Sequence, residues 1–474
     1  NYWALERGYK GTLLGVPNKF AASNIDPANG RISEKGGDSR VRNHAVFANL
    51  ELGWKSMLYL TLTGRNDWNS RLVNTDEESF FYPSIGLSGI ISEMVKLPEF
   101  ISYLKVRGSY TEVGNSYGRF MTTVTYPYDE QTQSWTSTSS YPNTKLKPER
   151  TKSWEVGLDA RILNDISLNL TYYRSNTYNQ TFYADLSLSS GYSNIPIQSG
   201  NIMNEGLEMS LGYNKQWKDF SFNTNYTLTW NKNRVKRLAD GVYNYATGQP
   251  IQMPELSPLT YGHTDARLIL RVGGSMGDVY GQRLLKRDLN GYILNEEGVG
   301  LAMENKETYL GSILPKMNMG WSLGFGYKGV NLGMTFTGRF GGIVISETQS
   351  VLDAAGVSKV SADVRDAGGV QINQSKVSAQ TYYQTIQGTA AYYTYSATNV
   401  RLGELSLSYT LPKKWFDNKV GMTVGLVGKN LWMIYCKAPF DPESVASTDN
   451  FYQGIDYFMM PSLRNIGFNL SFKF

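Results

Sequence analysis

The 474-residue chain holds one cysteine, Cys436, and two histidines, His44 and His263. One thiol excludes an internal disulfide framework and any cysteine-based metal cluster. Two imidazoles leave little for histidine-based catalysis or metal ligation. Long apolar runs are missing too, and no stretch approaches the roughly 18 uninterrupted apolar residues of a membrane helix. Net charge is slight, +5 over the whole chain, with no basic cluster that carries interleaved aromatics. Nucleic acid is therefore not an expected partner. The opening residues, Asn1-Tyr2-Trp3-Ala4, show neither the charged nor the apolar region of an export signal.

What is present is alternation. Ile466, Phe468, Leu470, Phe472 and Phe474 alternate with Asn465, Gly467, Asn469, Ser471 and Lys473. On a strand this places five apolar groups on one face and five polar or small ones on the other. The same two-faced pattern runs through Val46 to Trp54, Ile166 to Tyr172, Ser221 to Trp230, Trp321 to Lys328, Val330 to Thr337, Glu404 to Leu411 and Met422 to Leu426. A soluble antiparallel sheet with one buried face alternates likewise. A membrane barrel does so with its apolar face on lipid and its polar face on the lumen. The mean hydropathy of −0.35, despite 41% apolar residues, fits half of each strand facing water. Thirty-three Tyr and ten Trp suit aromatic girdles, or else a carbohydrate-binding surface.

Roughly thirteen strands are expected, near 44–54, 57–67, 80–91, 100–112, 152–163, 165–176, 203–216, 219–233, 316–328, 330–342, 400–411, 420–433 and 463–474. Their connections alternate between tight, at Lys55-Ser56, Asn164, Lys218 and Gly329, and long, near 114–150, 177–202, 234–315, 343–399 and 434–462. That alternation is the mark of an all-β, antiparallel, up-and-down transmembrane barrel with short periplasmic turns and long extracellular loops. Soluble domains connect their elements with about 4 to 6 residues. Closed bacterial barrels have even strand numbers, and an open sheet leaves edges that lipid cannot satisfy. The expectation is thus that 1–474 forms the C-terminal part of a larger barrel. In it 1–43 is an extracellular loop and 463–474 the C-terminal strand, with Phe468, Leu470, Phe472 and Phe474 as barrel-insertion signal.

Local motifs sharpen the reading. Gly64-Arg65-Asn66-Asp67 with Ser70-Arg71 resembles G-R-x-D-G-S-S-R, followed by Phe81-Tyr82-Pro83-Ser84 in place of F-P-S. Leu104 to Asn115, Leu146 to Thr151, Trp154 to Asp159, Gly200 to Glu208, Ala397 to Leu402, Gly428 to Leu431, Phe440-Asp441-Pro442-Glu443 and Pro461 to Arg464 follow in order. Together they resemble the SusC-like TonB-dependent transporters (RagA/SusC family) almost end to end. Trp68-Asn69 departs from the small residues the family favours there.

The resemblance implies an active importer of oligosaccharides or peptides in the outer membrane of a Gram-negative bacterium. It implies a barrel of about 22 strands with an internal plug, a SusD-like surface lipoprotein as lid, and energy from the TonB complex. Signal peptide, TonB-contacting segment, plug and first strands would belong to an upstream segment. No catalytic residue and no cofactor are expected. The turn Asp288-Leu289-Asn290-Gly291 resembles an Asp- and Asn-rich family loop, but Tyr292 and Leu294 follow where a calcium loop needs oxygen, so a solvated turn is expected. Substrate-binding candidates are the loop aromatics Tyr128, Trp135, Tyr141, Tyr183, Tyr192, Tyr243 and Tyr245, which stack on sugar rings or else pack loops and lid. Arg65, Arg107, Arg401 and Arg464 should face the lumen, more as structural partners of plug carboxylates than as ligand contacts. The alternatives are a passive porin or adhesin barrel, and a soluble all-β binding protein.

Overall fold

The computed structural model describes residues 2–11, 16, 30–39, 41–126, 128–129, 134–136, 138–238, 248–249, 255–262, 264–296, 300–417, 419–447 and 452–474. Thirteen strands form one sheet. They are β1 (Asn43–Trp54), β2 (Leu58–Asn69), β3 (Ser79–Ile90), β4 (Ile101–Asn115), β5 (Glu149–Ile162), β6 (Ile166–Asp185) and β7 (Asn194–Trp217). The others are β8 (Phe220–Arg237), β9 (Met317–Tyr327), β10 (Val330–Phe340), β11 (Asn399–Thr410), β12 (Gly421–Cys436) and β13 (Asn465–Lys473). Each strand pairs antiparallel with its neighbour in sequence, so the sheet is an unbroken up-and-down meander with β1 and β13 at its edges. All thirteen expected strands are present, and the sheet is the antiparallel barrel wall that alternation and turn spacing imply.

The tight end is built by turn chemistry. Lys328 (φ 47°) and Gly329 (φ 89°) both sit in the left-handed region and join β9 to β10 in two residues. That is the geometry whose twist matches antiparallel strands. Lys55 and Ser56, between β1 and β2, also have positive φ. Leu163 and Asn164 do the same between β5 and β6.

The other end differs from expectation. The long connection foreseen at 177–202 is mostly strand: β6 and β7 run for 20 and 24 residues and stay paired to Asp185 and Asn194. A membrane crossing needs only about 9 to 11. Their projecting tips bring Phe182, Ala184, Ile195 and Ile197 into an apolar core with Leu268, Leu270, Val279, Ile313, Ile345 and Ile455. The core of this protein therefore lies in the long-loop superstructure, not against the sheet.

Segments expected as loops carry their own elements. Glu255–Thr260, Arg267–Arg271, Asp278–Leu285 and Met303–Ser312 make a four-stranded sheet. Helices Glu347–Ala354, Lys359–Asp366 and Ala379–Ile386 follow. Each begins at a serine, Ser346, Ser358 or Ser378, whose hydroxyl accepts the backbone N–H three residues on. That satisfies one of the helix's unpaired donors. Residues 2–11 and 30–39 of the expected first loop pair as an antiparallel hairpin.

Candidate functional site

The two faces of the sheet differ in chemistry along its whole width. On one face cross-strand partners are apolar, as in Val424 with Leu470 and Leu426 with Phe468. The opposite face is polar, and between β2 and β7 it carries an open pocket of about 380 Å³. Lys105 and Arg107 of β4, Glu155 of β5, Asn169 and Thr171 of β6 and Glu208 of β7 line it. The Arg107 guanidinium donates to the Thr171 hydroxyl and lies 4.0 Å from Asp159. Gly157 makes this possible, since a Cβ there would sit 2.3 Å from Arg107 Nε.

A second cavity, about 550 Å³, opens on the same face nearer the long loops. Asn115, Glu149, Thr151, Thr177, Gln180 and Asn204 are among its walls. The Thr151 and Thr177 hydroxyls bond each other at 2.9 Å, and Asn204 accepts from Asn233 at 2.9 Å. Gln180 Oε1 is buried with no hydrogen-bond partner among the described residues. Burial pushes the Glu149 carboxyl above the usual carboxylate range. Hydroxyl, amide and carboxylate groups in this density can hold a ligand rich in N–H or O–H donors.

Three ionic or aromatic contacts fix the rim, the first of them buried. Arg401 of β11 forms a two-pronged bond to Asp441, Nη2 to Oδ1 at 2.7 Å and Nη1 to Oδ2 at 2.9 Å. Glu443 lies 3.2 Å from the same guanidinium. Burial acts to raise the Asp441 carboxyl, but hydrogen bonds from Arg401, Ser462 and the Glu443 N–H outweigh it and hold the group below its ordinary range. Arg65 Nε donates to Asp67 at 3.0 Å, and the Tyr82 hydroxyl donates to the same carboxylate. Tyr141 and Tyr192 meet edge to face, centroids 5.1 Å apart.

A family model described as TonB dependent receptor-like, beta-barrel, matches residues 3–431. The chain belongs to the TonB-dependent receptor-like β-barrel family. It is 25% identical over 468 residues to TonB-dependent receptor P3 of Formosa agariphila, covering 91% of this chain and 45% of that protein. It is 26% identical over 213 residues to TonB-dependent receptor SusC of Bacteroides thetaiotaomicron, covering 42% of this chain and 21% of that protein. Its fold is similar to the RagAB peptide importer in the open-open state, with a TM-score of 0.72 at 19% identity over 96% of this chain and 49% of that one. The chain spans about half the length of the Formosa agariphila relative it matches. The SusC-like character expected from the motifs holds. The family is one of outer-membrane receptors and transporters of Gram-negative bacteria.

As a TonB-dependent receptor barrel, the chain places its motifs in contact with one another. Arg65 and Asp67 come from one motif and Tyr82 from the next. Arg401 and Asp441 come from two motifs 40 residues apart. Leu72, Phe80, Tyr117 and Leu146 pack as a satellite core between motif segments. Arg65, Arg107 and Arg401 were expected to lean on plug carboxylates, yet each has an aspartate of this chain at 4.0 Å or closer. Arg464 lies in the exposed segment before β13.

The aromatic candidates divide. Tyr141 and Tyr192 are joined, and Tyr141 packs on the loop core. Tyr183 is exposed at the tip of β6. Trp135 is 70% exposed on the small hairpin of Tyr128–Asp129 with Ser134–Trp135. The Tyr128 side chain, Tyr243, Tyr245 and His263 lie outside the described residues. The Asp288 turn closes on itself, its carboxylate accepting the N–H of Asn290 at 2.9 Å and of Tyr292 at 2.8 Å. Cavity residues Glu149, Gln180 and Asn204 escaped the sequence reading. Glu149 and Gln180 lie in a polar register that continues past the expected strand ends, whereas Asn204 falls inside an expected strand and was read only as part of a motif.

Proposed function

We propose that this chain forms a substrate-facing part of the barrel of a SusC-like importer that moves oligosaccharides or peptides across the outer membrane. A SusD-like surface lipoprotein covers the long-loop end, and TonB-derived energy acts through a plug supplied by the same transporter. The observation that carries the reading is the polar face with two cavities, topped by a packed loop superstructure, on a wall of the TonB-dependent receptor family. The upper cavity offers acceptors and hydroxyls to a donor-rich ligand, and the tyrosine pair Tyr141–Tyr192 offers a stacking face.

The open edges at β1 and β13 fit completion of the barrel by strands from outside this chain. On this reading the long loops face outward, the short turns face the periplasm, and Phe468, Leu470, Phe472 and Phe474 lie on the face presented to lipid and to the insertion machinery. The chain makes and breaks no bond.

The test is to tag this chain in its native transporter and isolate the detergent-extracted complex. Recovery of a plug-bearing segment and a surface lipoprotein, with substrate uptake that stops when TonB is removed, is the expected result. Steady ion channels from the reconstituted complex, with neither partner present, would replace the importer by a porin.

A further inference from the structure

We propose that the outward face of β5–β8 docks the phosphorylated headgroup of an outer-leaflet glycolipid of the lipid A type. The register defines the face. Along one outward row Tyr110 pairs with Trp154, Trp154 with Arg174, Arg174 with Glu205 and Glu205 with Lys232. The row towards the long loops pairs Glu112 with Lys152, Lys152 with Asn176, Asn176 with Met203 and Met203 with Arg234. One step further, Arg150 pairs with Tyr178. The row below, towards the short turns, holds Val156, Tyr172, Leu207 and Trp230.

Aromatics therefore underlie a basic patch. The Trp154 and Tyr172 rings meet at a tilt of 48° with centroids 5.4 Å apart, and such rings settle where hydrocarbon gives way to headgroups. Directly above them stand Arg150, Lys152, Arg174, Lys232 and Arg234. Two acids share the face: Glu112, 3.6 Å from Arg150 and 3.2 Å from Lys152, and Glu205, 3.7 Å from Lys232. Arg174 and Arg234 have no carboxylate at ion-pair distance among the described residues. Both are half-buried and hold outward register positions on the wall.

The patch is local. At corresponding outward positions elsewhere the wall presents neutral pairs: Asn66 with Phe81, Phe336 with Leu402, and Gly338 with Val400. Four adjacent strands span about 15 Å, a width that lets two unpaired guanidiniums and three partly paired cations meet one anionic headgroup. Arginine forks match phosphate oxygens in geometry as well as charge. A lipid is the occupant because the patch rises straight from lipid-facing rows, so its nearest neighbour is the headgroup layer.

The inference rests on the outward placing of the long loops, which a separate label tests. In a Cys436→Ser background, Leu289→Cys in its fully exposed turn should react with a membrane-impermeant maleimide on intact cells. Failure to label would remove the orientation, and with it this proposal.

The direct test is native mass spectrometry of the whole detergent-extracted transporter titrated with monophosphoryl lipid A. A saturable adduct is expected. Arg174→Gln with Arg234→Gln should weaken it about 25-fold, near fivefold for each cation removed. Glu112→Gln, which frees two cations, should tighten it. Heat-modifiable electrophoretic mobility reports that the variants still fold. Surface labelling with equal binding of dephosphorylated lipid A, with no effect of the double substitution, or with displacement by inorganic phosphate alone would overturn the lipid site and leave the importer reading standing.

Discussion

Breaking the Arg401–Asp441 fork gives the strongest test of how the long loops are held over the cavity. Both side chains are about 10% exposed, and the pair ties the segment after β12 back to β11. Asp441→Ala leaves the guanidinium buried with the neutral Asn399 oxygen and a single carboxylate, the half-exposed Glu443, nearby, a situation that costs about 3–5 kcal/mol. If the loop opens locally, that is a rise of roughly two to nearly four decades in its open population. Hydrogen exchange at residues 437–447 and 452–464 should accelerate accordingly, while the paired amides of β3–β5 stay unchanged.

Glu443→Gln is the internal control. Its carboxylate is 42% exposed, so its loss should cost under about 1 kcal/mol. Replacing both partners with apolar residues, Arg401→Met with Asp441→Leu, should recover most of the protection, because no buried charge is then left unpaired. Equal exchange in Asp441→Ala and Glu443→Gln would refute the reasoning. The pH dependence has a defined sign. The Asp441 carboxyl is held below its ordinary range, so its stabilisation is present above about pH 4 and is lost as pH falls through the lowered folded value.

Other expectations follow from the same geometry. Glu149 is raised by burial, so its charging destabilises the outer tip of β5 as pH climbs from about 4.3. Glu149→Gln should raise thermal stability at pH 7 and leave it nearly unchanged at pH 4, and an equal gain at both would refute the assignment. Gly157→Leu should drive Arg107 off the wall, shown by altered substrate affinity with the barrel still folded; unchanged affinity would remove the middle cavity from the path. Phe468→Lys puts a charge on the lipid face and should cost about 2–4 kcal/mol if that face lies at mid-membrane, measured by urea titration in lipid vesicles. Tyr141→Ala should loosen its contact with Tyr192, worth about 0.5–1.5 kcal/mol beyond buried area. Protease sensitivity near 139–143 reports the loosening, and substrate uptake tests the stacking role.

The sheet was legible because its information is local. A period of two, read from residues such as Ile466 to Phe474, fixes which side chains share a face. The residues at Lys328-Gly329 or Leu163-Asn164 mark the turns without reference to anything distant. Strand ends were less legible. β6 and β7 continue as a pair well past the apolar rows, and only the loop core that receives Phe182 and Ile195 explains why.

The superstructure was illegible for a different reason. Serine caps at Ser346, Ser358 and Ser378 are short-range signals that weigh little in segments with weak periodicity. The helix Ala379–Ile386 packs through Tyr383 and Ile386 into a cluster with Leu285 and Leu301, distant in sequence. The motifs marked Arg65, Arg401 and Asp441 as special without saying which partner each would meet.

The sequence by itself thus determined a two-faced antiparallel wall, its turn pattern and its family, since each follows from near-neighbour spacing of apolar, polar and turn-forming residues. Tertiary structure alone decided which carboxylate each arginine reaches, where the polar cavities open, and that the buried core sits among the long loops. Those depend on strand register and on contacts between segments far apart in the chain. Register gathers five basic residues of β5, β6 and β8 into adjacent rows just above the aromatics, a coincidence that no single stretch of sequence displays.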